Sequence, residues 1–159
     1  MSRILLKIIV VIVVLSLNGC GRKGAGGGAA MVSDELGLRM NVPAGWQVDR
    51  KASLMCSKGD STGIIISEDL EGKNFEEHVR QLSNDFNGKV VSSVPVSVSG
   101  FNGVRVVIEY PEIGSKSMKV YIHKEKKLIE ISFVTPMEDF AGYEGSLLDS
   151  IESISLKGE

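Results

Sequence analysis

Disulfides, metal clusters, bilayer-spanning runs and surplus positive charge are all scarce in this 159-residue chain. The chain has two cysteines, Cys20 and Cys56, so at most one internal disulfide could form, and none if either sulfur is used otherwise. It has two histidines, His78 and His123, and neither has a ligand-spaced His, Cys or carboxylate partner. A zinc site needs three or four such groups converging. The apolar run Ile8 to Leu15 falls short of the roughly 20 residues that span a bilayer. The net charge is -2, which argues against a general nucleic-acid binder, because phosphate contacts need a concentrated Lys/Arg surface.

What is present begins at the N-terminus. Arg3 and Lys7 precede the unbroken Ile/Val/Leu stretch Ile8 to Leu15, and Leu17-Asn18-Gly19-Cys20 follows after Ser16. A basic start, a short apolar core and small residues at a boundary form the layout of a secretory signal. Removing residues 1–19 takes two positive charges with it and shifts the formal charge from -2 to -4. Gly21 to Ala30 is almost entirely Gly and Ala and reads as a flexible spacer with a reach of roughly 15–20 Å. Gly24-Ala25-Gly26 and Ala29 match a dinucleotide fingerprint by letters, but no strand precedes them and no helix follows.

Leu17-Asn18-Gly19-Cys20 resembles the lipobox of bacterial lipoproteins. The resemblance implies cleavage before Cys20 and a diacylglycerol on its sulfur. It implies a membrane partner held through that lipid. Gly21, standing where inner-membrane lipoproteins carry Asp, implies the outer membrane facing the periplasm rather than the inner membrane. If Cys20 is acylated, Cys56 has no partner; within Leu54-Met55-Cys56 it reads as a small apolar core residue. The expected organisation is a signal at 1–19, a lipidated Cys and tether at 20–35, and one α+β domain at 36–159.

Periodicity outlines that domain. Leu38, Met40 and Val42 alternate with polar residues as a half-buried strand, and Pro43-Ala44-Gly45 turns into a second strand at Trp46 and Val48. Leu54 to Ser57 and Gly63 to Glu68 form a hairpin across Lys58 to Thr62. Asn74 caps a helix whose stripe is Phe75, Val79, Leu82 and Phe86, ended by Asn87-Gly88. Val94 to Val98 carries Pro95 and reads as an edge strand. Gly100-Phe101-Asn102-Gly103 is expected to turn into the strand Val104 to Tyr110. Two more strands follow, on Met118/Val120/Ile122 and Ile129/Ile131/Phe133, around a Lys124 to Lys127 hairpin. Thr135-Pro136-Met137-Glu138 predicts the start of a last helix with the stripe Phe140, Tyr143, Leu147, Ile151 and Ile154.

The stretches Gly37 to Trp46, Gly100 to Arg105 and Phe133 to Pro136, with Phe140 and Ile151 to Ile154, resemble the PsbP-like family and its DcrB-type bacterial relatives. The resemblance implies an α/β/α sandwich on an antiparallel sheet and a non-catalytic accessory role at a membrane.

Catalytic signals are weak. Gly59-Asp60-Ser61-Thr62-Gly63 spells a nucleophile elbow, but the elbow must open a helix, and Ile64-Ile65-Ile66 opens a strand. The adjacent carboxylates Glu76/Glu77 and Glu68/Asp69 point apart and share no site. His78 and His123 are expected at the surface. The candidate partner surface is Phe101 at a turn tip with a mixed strand face of Arg105, Glu109, Lys119, Tyr121 and His123. Lys116, Lys119, Lys124, Lys126 and Lys127 gather positive charge on one hairpin, which suits an edge guarded against aggregation. The expected function is a lipid-anchored, non-catalytic envelope module that binds a protein or envelope component, with no cofactor and no nucleic acid. The alternatives are an envelope hydrolase using carboxylates or Ser61, and a small-ligand or metal-binding lipoprotein.

Overall fold

The computed structural model describes residues 29–52 and 54–158. Cys20, the signal and most of the tether lie outside the described residues. The strands are β1 (Ala30–Ser33), β2 (Leu38–Asn41), β3 (Gln47–Val48), β4 (Met55–Lys58), β5 (Ser61–Asp69), β6 (Lys89–Val98), β7 (Phe101–Tyr110), β8 (Ser115–Lys124), β9 (Lys127–Pro136) and β10 (Ser155–Leu156). The helices are α1 (Phe75–Ser83), between β5 and β6, and α2 (Phe140–Glu152), between β9 and β10. Seven strands form an antiparallel sheet in the order β3-β4-β5-β9-β8-β7-β6, and a second, three-stranded sheet runs β1-β2-β10.

Cross-strand partners share a face of the sheet, so the register assigns each layer. One row runs Ile65–Ile131–Val120–Arg105–Val94 and belongs to the face packed by α2 and the small sheet. Here Phe133, Met118 and Ile129 meet Leu147 and Ile151 of α2, and Met31, Leu38 and Met40 of the small sheet, all buried. The opposite face carries the row Ile64–Ser132–Lys119–Val106–Ser93. There α1 lays Phe75 and Val79 over Val106, Ile108, Tyr121 and Leu128. The result is the expected α/β/α sandwich, with the small sheet added to one outer layer.

Several local expectations are corrected. Strand β1 lies inside the stretch expected as tether, and Met31 is fully buried in the core, so ordered structure begins before residue 36. The turn after β6 is Ser99-Gly100, both with positive φ (50° and 84°), a two-residue hairpin that matches strand twist. Phe101 therefore pairs with Val98 as the first residue of β7 rather than standing at a tip. Helix α1 stops at Ser83, where the Ser83 hydroxyl donates to the Val79 carbonyl and the Asn84 amide to the Arg80 carbonyl. Phe86 falls in the following 3-10 turn, Asp85–Asn87. Thr135 is no N-cap: it pairs with Lys116 in β9 and is buried, Pro136 ends the strand, and Asp139 takes the cap position of α2. The ladder to β8 outweighs the local capping pattern. Strand β10 is unforeseen by periodicity.

Candidate functional site: an arginine-floored cleft beside the second helix

The long strands fix the site. The sheet edge is β6, and its register slips between Val90 and Ser92, a bulge that turns Val91 out of the ladder. Next to it, β7 presents Arg105 and Val107 toward the α2 face, and β8 adds Lys116 and Met118. Helix α2 packs its Leu147 stripe on the sheet centre and leaves Ala141, Glu144 and Leu148 facing this corner. Between them lies a cleft of about 260 Å³. Its floor is apolar, from Val107, Met118 and Phe140, and Arg105 stands in it as the charged member of an otherwise aliphatic row.

The cations near this corner differ in their partners. Lys116 Nζ lies 3.1 Å from Glu109 Oε1 and 4.7 Å from the centre of the Phe140 ring, so its charge is committed. Arg105 is half-buried and makes no hydrogen bond or ion pair to any described residue. Glu144 is exposed at the rim and likewise makes no hydrogen bond or ion pair to a described residue. Arginine stays charged at every working pH and offers a planar fork of donors suited to a carboxylate. The arrangement can hold an anion. Sequence reasoning marked Arg105 but missed its surroundings, because Met137 from the turn after β9 and Ala141, Glu144 and Leu148 from α2 reach it across the fold.

The other expected surface residues are separated from it. Arg105 and Glu109 face α2, whereas Lys119, Tyr121 and His123 face α1. Tyr121 is fully buried, so the five do not make one partner surface. Lys119 Nζ contacts Glu130 Oε1 at 2.8 Å, both largely buried. Burial alone would lower the Lys119 pKa, but Glu130 together with Tyr121 and Tyr110 outweighs it and the net shift is upward. The His123 ring stacks on Phe75, 5.0 Å between centres. His78, expected at the surface, is buried, with Nε2 2.7 Å from Glu68 Oε1, and pins α1 to β5. The five lysines form no common patch, since Lys116 and Lys119 lie on opposite faces and each is paired. Phe101 is half-buried against the main core.

Ser61 is buried at the start of β5, after the turn at Gly59, whose φ is positive. Cys56 is buried as expected of a core residue; burial pushes its thiol pKa up to about 12. Among the described residues no three His, Cys, Asp or Glu side chains gather to hold a metal ion, and no helix is long and apolar enough to cross a membrane.

No family model and no curated protein matches the chain. Solved structures do. Cyanobacterial PsbP (CyanoP) from Synechocystis sp. PCC 6803 superposes with a TM-score of 0.60 at 12% identity, over 89% of this chain and 99% of that one. PA94 from Pseudomonas aeruginosa, a protein of unknown function, gives 0.57 at 15% identity, over 84% of this chain and 100% of that one. A Bacteroides thetaiotaomicron protein gives 0.56 at 16% identity, over 83% of this chain and 49% of that one. With its meandering antiparallel sheet, its two helices on opposite faces and this likeness to CyanoP, the chain has the PsbP-like fold.

Proposed function

We propose that the chain is a lipid-anchored, non-catalytic binding module of the bacterial envelope, related to the DcrB-type lipoproteins. The observation that carries the reading is Leu17-Asn18-Gly19-Cys20, set between an apolar signal and a Gly-rich spacer. A thiol beside a small residue is what acyl transfer requires, and two or more acyl chains hold a protein at a bilayer where one holds it only marginally. Gly21 in place of Asp favours the outer membrane, facing the periplasm. The partner reading rests on the PsbP-like scaffold, whose bulged edge strand β6 is exposed along most of its length.

The test is metabolic labelling with an alkyne-bearing fatty acid, followed by fractionation. The parent chain is expected to carry the label and sediment with membranes. Cys20→Ser is expected to lose the label and leave the membrane pellet. An unmodified Cys20 sulfur in the mass spectrum of the natural product would overturn the assignment. A second reading, a small-ligand-binding lipoprotein, is favoured by the unpaired Arg105 in its cleft.

A further inference from the structure

We propose that the cleft between α2 and strands β6 to β8 binds a small monoanion with a short apolar tail, a medium-chain carboxylate in chemical class, with Arg105 holding its head. The inference deepens the small-ligand reading and rests on it. Three observations converge. First, Arg105 is a half-buried guanidinium with no partner among the described residues, whereas on the neighbouring strand Lys116 and Lys119 each hold a carboxylate at 3.1 Å or less and Lys124 donates to the Leu36 carbonyl. A partly desolvated charge gains most from a partner brought in from outside. Second, the lining is mixed: Val107 and Met118 from the sheet and Phe140 and Leu148 from α2 form an apolar part beside the polar Arg105, Lys116 and Glu144. A ligand that satisfies Arg105 and also covers the apolar part fits better than a bare inorganic ion. Third, size and charge set limits. The 260 Å³ cleft lies below the usual range for drug-sized ligands and, at about 30 Å³ per water-sized group, takes about nine of them. Glu144 on the rim disfavours a doubly charged head, so a carboxylate fits better than a phosphate monoester.

The experiment uses the full chain in lipid nanodiscs, with empty nanodiscs as the blank, titrated calorimetrically with hexanoate, hexanol and hexyl phosphate. Hexanoate is expected to give saturable binding, with hexanol and hexyl phosphate weaker. Arg105→Gln is expected to weaken hexanoate by about tenfold to a hundredfold, the range of a lost hydrogen bond to a charged group. Ala141→Trp places a ring in the cleft from an exposed helical position and is expected to abolish binding while the circular dichroism of the parent is kept. Equal binding of hexanol and hexanoate, unchanged affinity in either folded variant, tighter hexyl phosphate, or no saturable heat with hexanoate would each overturn the proposal. The acylation test fails or succeeds independently of these titrations, so loss of the envelope reading and loss of the ligand reading are told apart.

Discussion

At the scale of single residues, the face of the sheet under α1 shows how a charge is accommodated in an apolar layer. Lys119 and Glu130 sit on neighbouring strands and close a 2.8 Å pair with 17% and 10% of their side chains exposed. Breaking such a pair from one side strands the other charge, at a cost of about 3–5 kcal/mol, whereas replacing both partners by apolar groups is often neutral. Glu130→Leu is therefore expected to lower the unfolding free energy by about 3 kcal/mol, and Lys119→Met with Glu130→Leu to recover most of it, as read from urea denaturation. A single variant as stable as the parent would show that the pair contributes nothing. The alternation of β8 was legible in the sequence, but not the depth of Lys119 and Tyr121, because burial there depends on Glu130 one strand away and on α1 passing overhead. Cys56 was legible, since its neighbours Leu54 and Met55 already marked an apolar strand.

Among the elements, those with strong periodicity or a local cap were readable: β7, β8, β9 and the start of α1, where the Asn74 side chain accepts from the Glu77 amide at 3.0 Å. The failures were short or locally ambiguous. Strands β1 and β10, of four and two residues, are too brief for a period, and β2 is the strand that each pairs with. Thr135-Pro136 carries a capping pattern that the ladder to β8 overrides. The C-terminal strand gains a second fastening: the Ser99 hydroxyl donates to the Ile154 carbonyl and accepts from the Leu156 amide, each at 3.0 Å. Ser99→Ala is expected to cost about 1–3 kcal/mol and to raise hydrogen exchange at Leu156 more than at Ile131 in the sheet centre. Equal exchange at Leu156 in both proteins would mean that the backbone pairing suffices. The cleft was the least legible part of the molecule, because Arg105 and Leu148 are brought together only by the packing angle of α2.

For the whole molecule, the buried titratable groups set an alkaline limit. Burial raises Cys56 to about 12 and raises Tyr121; Lys119, which burial would lower, is raised on balance by Glu130 together with Tyr121 and Tyr110. All three keep their protons in the folded state at pH values where the unfolded chain has begun to release them. The unfolded chain then binds fewer protons, so stability is complete below about pH 9 and falls as pH rises toward 12. Between pH 9 and 10 the thiol dominates, because Tyr and Lys in the unfolded chain titrate at about 10 and above. Cys56→Ala is expected to flatten the loss of urea midpoint across that interval, and an identical slope in parent and variant would rule out the thiol as its source.

Strands β1 and β10 flank β2 on its two sides, so the first and last described segments are clasped by one four-residue strand. Mechanical load applied through the leader side of the chain arrives at β1 first, and passes to the large sheet only through the core contacts of Met31, Leu38 and Met40. The small sheet thus stands between a pull on the leader and the strands that hold the arginine.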